Sequence, residues 1–437
     1  MSNSYPSPSA WQKHVERRTV LKYGAAAGAF AVGGTALAAC GSDSAIDIGS
    51  ASGELRIGSN LSDENPKAGL QAVADAFPNK DVSITINTTD HNTFQENINT
   101  ILQGKEDDVL TWFAGFRNKF FADQGLLEPI TDVWDNITGL GEGFKAASTG
   151  TDGEQYFVPT SYYTWAVNYS KNLFAENGYS EPGNIDELMG LAEDMMSDGV
   201  TPFVMANDGK WPIMGTFDVL NMRMNGYDFH IDLMGGREKW TDDRVRDVFT
   251  QWADLLPFHM TGANGRTWQE GAQALQDGQA GMYLLGTFAA SHSDELAADM
   301  DFFNFPEIKS DVGAGALDAP IDGFQLISDP NNAAAAKEFL LHLSTSLSQD
   351  AYLSEDPSVV ASSSEADTSG YNDLQKKSAE LANNATGISQ FLDRDTIPDF
   401  AGKCGDMFAE FIEDQSKVES QLTDLQEQWD AISADFA

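Results

Sequence analysis

The chain is poor in cysteine and in basic residues. Among its 437 residues there are two cysteines, Cys40 and Cys404, too few for a disulfide framework or a cysteine-based zinc site. Lys and Arg number 26 against 67 Asp and Glu, which gives a formal net charge of −41. Such a negative field repels nucleic acids and anionic lipids, so we exclude both as partners of the folded body. The acidity suits a saline habitat or high solubility, and composition leaves both open.

Several motifs of enzymes and metal proteins are also missing from the sequence. No pair among the six histidines has the spacing of metal ligands. There is no Gly-x-x-x-x-Gly-Lys-Ser/Thr phosphate loop and no Gly-x-Ser-x-Gly elbow. We therefore expect no bound metal, no cofactor, no ATP site and no serine hydrolase activity.

The N-terminal segment combines an export signal with an acylation motif. Arg17 and Arg18 precede a Gly- and Ala-rich apolar run, the pattern of a twin-arginine secretory signal. The run is too short and too poor in Leu and Ile for a good membrane span. Leu37-Ala38-Ala39-Cys40 matches the lipobox of bacterial lipoproteins, in which the cysteine is acylated after cleavage. We expect a signal peptide over residues 1–39 and a mature protein anchored through Cys40 to the extracellular face of the cell membrane.

Strands and helices alternate through most of the mature chain. Residues 40–53 are rich in Gly, Ser, Ala and Asp and predict a flexible tether. The remainder is too long for one compact core and predicts two or three domains. Apolar patterning predicts strands over 54–59, 82–86, 109–113, 164–169, 202–206 and 280–285, and helices over 66–77, from 90, and over 118–124, 171–177, 185–197, 214–225, 242–256, 268–277 and 332–343. This order predicts an α/β architecture with a mostly parallel first sheet, whose ligands bind beyond the carboxyl ends of the strands.

The C-terminal part is predicted to be largely helical. In the last helix, apolar residues recur at spacings of four, three, four and three, at Val418, Leu422, Leu425, Trp429 and Ile432. This stripe favours one helix docking on a lobe over a coiled-coil seam. The Ser-, Asp- and Glu-rich stretch 357–369 predicts a surface loop.

Three stretches together resemble a known family. Val158-Pro159 followed by 168–174, the strand and turn over 278–288, and 111–115 with Gly125-Leu126-Leu127 are similar to motifs of sugar-type extracellular solute-binding proteins of family 1, the maltose-binding-protein-like group. The motifs occur in the family's order and spacing, and the likeness covers nearly all of residues 54–437. Phe288 stands where the family often has Trp, which weakens the case for a stacking role there.

The resemblance implies an architecture and a function. The fold would be the two-lobe, periplasmic-binding-protein-like fold of type II, with hinge-linked α/β lobes and a helical C-terminal part. The N-lobe would comprise 54–160 and 318–346, and the C-lobe 161–317 and 347–437. The lobes would close around a sugar or oligosaccharide and deliver it, as a monomer without enzymatic activity, to the permease subunits of a membrane ABC importer.

The chemistry of sugars points to particular side chains as ligand contacts. A pyranose offers apolar C–H faces that stack on aromatic rings, and hydroxyls that need hydrogen-bond donors and acceptors. Residues of both kinds at strand ends, in loops or in the family-like motifs are the candidates: Asn60, Trp112, Phe113, Tyr162, Tyr163, Trp165, Trp211, Trp268, Thr287, Asp322 and Arg394. Core packing remains the alternative for each aromatic ring, and it is the expectation for Trp252, which lies within a helical pattern.

Two other classes of function stay open at this point. A secreted carbohydrate-active enzyme would use two carboxylates, which cannot be chosen among 67 acidic residues. A passive surface lectin would bind sugar without closing its lobes.

Overall fold

The structure, a computed structural model, describes residues 49–434. The predicted signal peptide and the acylation site at Cys40 lie outside this range. No helix within residues 49–434 has both the length and the apolar character needed to cross a membrane.

The predicted strands and helices are present, with ends displaced by one or two residues. The strands of residues 49–434 are β1 Gly53–Ser59, β2 Val82–Thr88, β3 Val109–Phe113, β4 Phe157–Tyr162, β5 Trp165–Ser170, β6 Thr201–Val204, β7 Ala280–Gly286, β8 Met300–Phe303, β9 Ala316–Asp318, β10 Ile321–Leu326, β11 Val360–Ala361 and β12 Gly387–Ser389. The helices are α1 Glu64–Ala76, α2 His91–Gly104, α3 Phe116–Asp123, α4 Thr131–Trp134, α5 Glu142–Ala147, α6 Lys171–Asn177, α7 Ile185–Ser197, α8 Pro212–Asn225, α9 Tyr227–Met234, α10 Asp243–Leu255, α11 Trp268–Gln276, α12 Asp294–Asp299, α13 Ala333–Leu343, α14 Ser346–Glu355, α15 Asp373–Asn384, α16 Leu392–Asp395, α17 Pro398–Glu413 and α18 Val418–Ala434.

Capping side chains fix where the helices beside the cleft begin. The carboxylate of Asp90 accepts a hydrogen bond from the backbone N–H of Thr93 at 3.0 Å, which starts α2. Thr267 and Glu270 form a reciprocal capping box at the start of α11. These caps hold the first turns of both helices next to the site described below.

The first sheet has the strand order β11-β4-β10-β3-β1-β2. Strand β1 is parallel to β2 and β3, whereas β10 runs antiparallel to both β3 and β4. In this register Asp322 at the start of β10 lies opposite Phe113 at the end of β3. The carboxyl ends of β1 and β3 and the start of β10 therefore meet at one edge of the sheet.

The second sheet has the strand order β6-β7-β5-β8, and a small parallel pair joins β9 to β12. The chain leaves the first sheet after Tyr162, enters the second at Trp165 and returns to the first at Ile321. Short crossing segments thus connect two α/β layers, with a cleft between them.

The first sheet carries one apolar core on each of its faces, and the second sheet has a core of its own. On the first sheet, Val109 faces a core shared with α1 and α13, while Leu110 faces another shared with α2, as alternation along a strand requires. The core of the second sheet, called the second core below, includes Trp252, whose ring is fully buried against those of Phe408 and Phe411. Helix α18 packs on this core through Leu422 and Leu425. This confirms the prediction of a helix docked on a lobe over that of a coiled-coil seam.

The stretch 357–369 differs from its expectation as a surface loop. Val359, Ser362 and Ser363 are buried, and β11 within the stretch pairs with β4. Composition misleads here because small polar side chains also fit against a sheet edge. Helix α14, which precedes it, packs against α1. These contacts favour a lobe boundary after β11 rather than after residue 346, and the predicted division at 160 and 317 stays a prediction.

Candidate functional site

A cavity of about 110 Å³ lies between the two layers, at the edge where β1, β3 and β10 meet. It is lined by Asn60, Leu61, Asp63, Pro66, His91, Gln95, Phe113, Ser161, Tyr163, Trp165, Trp211, Trp268, Phe288, Ser291, Asp322, Tyr352, Asp356, Val359, Phe391, Asp393 and Arg394. Aromatic rings and charged side chains share this lining. A second depression, at the opposite end of β1 around Arg56 and Lys105, is open and polar.

Arg394 is the cation of the cavity wall. Its guanidinium donates to Oδ1 of Asp322 and to the hydroxyl of Tyr163, each at 3.0 Å. It also lies 3.9 Å from the centre of the Phe113 ring, within the range of a cation–π contact. Burial raises the pKa of Asp322, and the charge of Arg394 counteracts part of that rise. Arg394 is thus held by β3, β10 and the segment between β4 and β5 at once.

His91 is an uncharged polar group of the first-lobe wall. Its Nδ1 lies 3.3 Å from Nδ2 of Asn60, and its Nε2 lies 2.8 Å from Nε2 of Gln95. Asn60 is held in turn by the hydroxyl of Thr111, which donates to its Oδ1 at 2.6 Å. Burial, followed by the charge of Arg394, lowers the pKa of His91 to about 4. His91 is therefore neutral at pH 7, and its two ring nitrogens hold the side chains of Asn60 and Gln95 beside the cavity.

Aromatic rings form the second-lobe wall. The Phe288 ring meets Tyr163 and Trp268 edge-on, with centroids 4.9 and 5.3 Å apart. Trp165 packs 4.9 Å from Phe391. These rings contact one another and give this side of the cavity an aromatic lining.

Two further carboxylates line the first-lobe wall without a cation among their hydrogen-bond partners. Oδ1 of Asp356 accepts from the hydroxyl and the backbone N–H of Ser358, at 2.5 and 3.2 Å. Oδ1 of Asp63 accepts from Nε2 of Gln269, on the other lobe, at 2.9 Å. Burial raises the pKa of both carboxyl groups. The site thus holds acceptors for hydroxyl groups and an excess of negative charge.

Most of the residues predicted as ligand contacts lie in this lining. The eight that do are Asn60, Phe113, Tyr163, Trp165, Trp211, Trp268, Asp322 and Arg394. Their assignment as ligand contacts stays a prediction.

Trp112, Tyr162 and Thr287 do not line the cavity. The ring of Trp112 packs against Phe94 and Phe121, with centroids 6.2 and 5.8 Å apart, and is 1% exposed. Its ring also contacts that of Phe113, with centroids 4.8 Å apart, but Phe113 at the end of β3 is the one of the two that borders the cavity.

Tyr162 and Thr287 pack elsewhere. The ring of Tyr162, the last residue of β4, lies 6.1 Å from that of Phe144, whereas Tyr163 lies beyond the strand and borders the cavity. Thr287 is buried, and its backbone N–H donates to the carbonyl of Thr164 at 2.9 Å.

Several lining residues escaped the sequence analysis. Phe288 was discounted because it is not Trp, although it stands at the centre of the aromatic wall. Asp63, Asp356 and Asp393 gave no signal among 67 acidic residues. Tyr352 and Phe391 lie in or beside helical segments whose closeness to the cleft only the tertiary fold reveals.

Comparison with known proteins agrees with this architecture. Residues 62–350 match the family model described as bacterial extracellular solute-binding protein. The bacterial solute receptor AcbH, described as having an exclusive preference for β-D-galactopyranose, is 43% identical and superposes with a TM-score of 0.85, over 87% of this chain and 99% of that one. A chitin oligosaccharide binding protein shares the fold at 20% identity, with a TM-score of 0.79 over 88% of this chain and 99% of its own.

A more distant relative extends the comparison. An uncharacterized ABC transporter extracellular-binding protein of Pyrococcus horikoshii is 25% identical over 264 residues, which span 58% of this chain and 57% of that relative. The predicted two-lobe α/β fold is confirmed by the superpositions. The chain belongs to the bacterial extracellular solute-binding proteins.

Proposed function

We propose that this protein captures one sugar ring in the cavity between its lobes and delivers it to a membrane ABC importer. The observation that carries the proposal is the composition of the wall. One side is a set of edge-packed aromatic rings that suits the C–H face of a pyranose. The other side presents Arg394, which can donate to hydroxyl groups, and Asp322, which can accept from them.

The size of the cavity supports a single ring over an oligosaccharide. The volume is about 110 Å³, somewhat less than that of an engineered protein cavity of about 150 Å³ that binds one benzene molecule. The cavity is therefore on the scale of one small ring. A hexopyranose requires the walls to move apart, and a chain of several sugar units would require a much larger separation.

The relative AcbH supports a choice among hexopyranoses. That receptor is described as having an exclusive preference for β-D-galactopyranose, and it is 43% identical to this chain. D-Galactose is therefore our proposed ligand. Within the family the members are receptors, and we infer that this chain likewise binds its sugar without transforming it.

Closure of the lobes would retain the sugar. Nε1 of Trp211 donates to Oδ1 of Asn92 across the cleft at 3.2 Å, and Gln269 reaches Asp63 across the cleft as well. A receptor that opens must break both contacts, while a bound sugar bridging the two walls favours the closed form. The closed form would be the one recognised by the importer.

Export and anchoring complete the proposal and depend on the sequence alone. The twin arginines at 17 and 18 and the lipobox ending at Cys40 would send the protein through the membrane and hold it on the outer face. The Gly-, Ser- and Ala-rich residues that follow Cys40 would form a tether that leaves the lobes free to meet the importer. Its predicted end at residue 53 is too late, because Ala51 is already buried in the first lobe and β1 begins at Gly53.

A thermal-shift screen of the purified protein, without its signal peptide, tests the function. D-Galactose, D-glucose, and β-linked and α-linked disaccharides are compared at concentrations up to 10 mM, an order-of-magnitude choice well above common receptor dissociation constants. D-Galactose should raise the melting temperature, because a ligand that binds only the native state stabilises it. Stabilisation by disaccharides but not by D-galactose would overturn the single-ring proposal, and stabilisation by no sugar would overturn the function.

A further inference from the structure

Phe391 has a backbone conformation that side chains rarely adopt. Its φ is 99° and its ψ is 143°, in a region occupied almost only by glycine. Such a conformation is costly and persists only where the surrounding structure determines it. Phe391 lies at the wall of the cavity, three residues before Arg394.

On one side of Phe391, contacts with the second lobe fix the chain. Its ring packs 4.9 Å from Trp165. A Cβ on Gly215 of α8 would come within 2.7 Å of the Phe391 ring, so only glycine leaves room for it. The backbone N–H of the next residue, Leu392, donates to Oδ2 of Asp218 in α8 at 2.7 Å.

On the other side, the chain turns toward the first lobe. The carbonyl of Phe391 accepts from the backbone N–H groups of Arg394 and Asp395, each at 3.0 Å, and so closes the single turn of α16. That turn lies against the first lobe at Gly115, where an added Cβ would be 3.0 Å from the carbonyl oxygen of Arg394. The strained residue therefore stands where the chain passes from contacts with one lobe to contacts with the other.

Resting on the proposed function, we propose that Phe391 is a positioning residue for the sugar site. Its left-handed backbone turns the short helix α16 so that the Arg394 guanidinium crosses the cleft to Asp322 and the Phe113 ring. A change of φ at this position rotates the Phe391 carbonyl and α16 together relative to residue 390, so the turn would stay closed while the Arg394 side chain would be carried away from Asp322 and Phe113. The position of the Arg394 side chain thus depends on the backbone conformation of Phe391 and on the packing of its ring.

A double-mutant cycle tests whether Phe391 acts through Arg394. We compare Phe391→Ala, Arg394→Gln and the double variant by calorimetric titration with D-galactose. Phe391→Ala should weaken binding by at least about tenfold, and by less than about twofold when Arg394 is already replaced. Independent losses that multiply in the double variant would overturn the proposal, because they would show Phe391 contributing as a separate contact or as general packing.

The backbone strain is tested without ligand by melting Phe391→Gly beside Phe391→Ala. Glycine adopts φ 99° without strain, so Phe391→Gly should melt above Phe391→Ala by about 2–4 °C. At an ordinary φ the order would be reversed, because glycine loses more freedom on folding. A lower melting temperature for Phe391→Gly would therefore overturn the proposal.

The ligand-free melts also separate this inference from the proposed function. Melting temperatures of the same cycle should be non-additive, since the contacts of Arg394 hold the strained turn in place, and additive shifts would overturn the inference. A wild type that binds no D-galactose would refute the proposed ligand, while the melts would still decide the role of Phe391. Phe411→Ala is the matched control, because this buried ring packs on Trp252 far from the cavity and should add to Arg394→Gln without coupling.

Discussion

The indole Nε1 of Trp211 donates a hydrogen bond to Oδ1 of Asn92 across the cleft, at 3.2 Å. Trp211 stands at the start of α8, and Asn92 lies in the first turn of α2. Gly209 makes room for this approach, because a Cβ there would come within 2.9 Å of the Asn92 amide. Two side chains from separate lobes thus meet across the cleft, and a separation of the lobes would break this bond.

Removing either partner of this bond should weaken sugar binding. Trp211→Phe keeps a ring and Asn92→Ala removes the acceptor, so each should cost about 0.5–1.5 kcal/mol of D-galactose affinity, measured by calorimetry. The double variant should bind no more weakly than the weaker single variant, because both changes remove the same bond. Losses that add would show that the two side chains contribute separately.

Trp112 should behave as a core residue and Trp211 as a residue of the cleft. Trp112→Ala leaves a large void beside Phe94 and Phe121 and should lower the free energy of unfolding by about 3–5 kcal/mol. Trp211→Ala should instead reduce D-galactose affinity by about 1–3 kcal/mol with a smaller change in melting temperature.

Trp252→Ala serves as the control for this comparison, because its ring is fully buried in the second core. It should destabilise the protein as Trp112→Ala does. A Trp112→Ala variant that folds with wild-type stability and binds poorly would contradict the placement of its ring.

The sequence predicts the strands and helices better than the site because the two depend on different ranges of interaction. The expectation of a mostly parallel first sheet is wrong, since β10 and β11 pair antiparallel to their neighbours. Strands such as β1 and helices such as α2 are set by local apolar periodicity and by caps such as Asp90, which the sequence displays directly. The position of Trp112 and Phe113 relative to the cavity depends instead on what packs at the end of β3. Both rings belong to one apolar cluster, with centroids 4.8 Å apart, and only the assembled fold shows that Phe113 borders the cavity while Trp112 does not.

The acidic lining was hidden for a similar reason. Asp63 and Asp356 are separated by nearly three hundred positions in the sequence, and they approach only because α14 packs against α1. Charge counts cannot single them out in a chain with 67 acidic residues. The sequence does not single out Phe391 as a site residue, because a phenylalanine side chain gives no sign of a positive φ. The φ of 99° follows from contacts that the chain makes before and after this residue.

The charge of the lining should exclude acidic sugars. Asp63, Asp322 and Asp356 face the cavity, and Arg394 is already bonded to Asp322. A uronate would have to bury its carboxylate beside these groups. D-Galacturonate should therefore bind at least about tenfold more weakly than D-galactose, which corresponds to about 1.4 kcal/mol.

The control for this comparison is 6-deoxy-D-galactose, which lacks the hydroxyl at the same carbon and carries no charge. It separates the loss of that hydroxyl from the effect of the carboxylate. Equal affinity for D-galacturonate and D-galactose, measured by calorimetry, would contradict the electrostatic account of the site.

Cys40 provides a test of anchoring in cells. Cys40→Ser removes the thiol that the lipobox motif presents for acylation. The variant should appear in the medium or remain as an unprocessed precursor, judged by fractionation and the mass of the purified chain. A fully processed variant in the membrane fraction would rule out the lipoprotein assignment and leave the sugar site unaffected.

Asp395 should give the protein a measurable pH dependence of stability. Burial raises the pKa of this carboxyl group from 3.8 to about 6, although the backbone N–H of Gln390 and the charge of Lys119 oppose the rise. Because the folded pKa lies above the unfolded value, the stabilising contribution is complete below pH 3.8 and is lost as the pH rises through about 6. A shift of this size corresponds to on the order of 2–3 kcal/mol.

Asp395→Asn should remove that loss, since an amide stays neutral and its oxygen can still accept from the Gln390 N–H. The free energy of unfolding of Asp395→Asn minus that of the wild type, from urea titrations, should therefore rise by about 2–3 kcal/mol between pH 4 and pH 7. Buried histidines act in the opposite direction: because the pKa of His91 is lowered to about 4, its contribution to the free energy of unfolding decreases as the pH falls. Their effect is common to both proteins and cancels in the difference, so a difference that stays constant across this range would show that Asp395 is charged in the folded protein throughout.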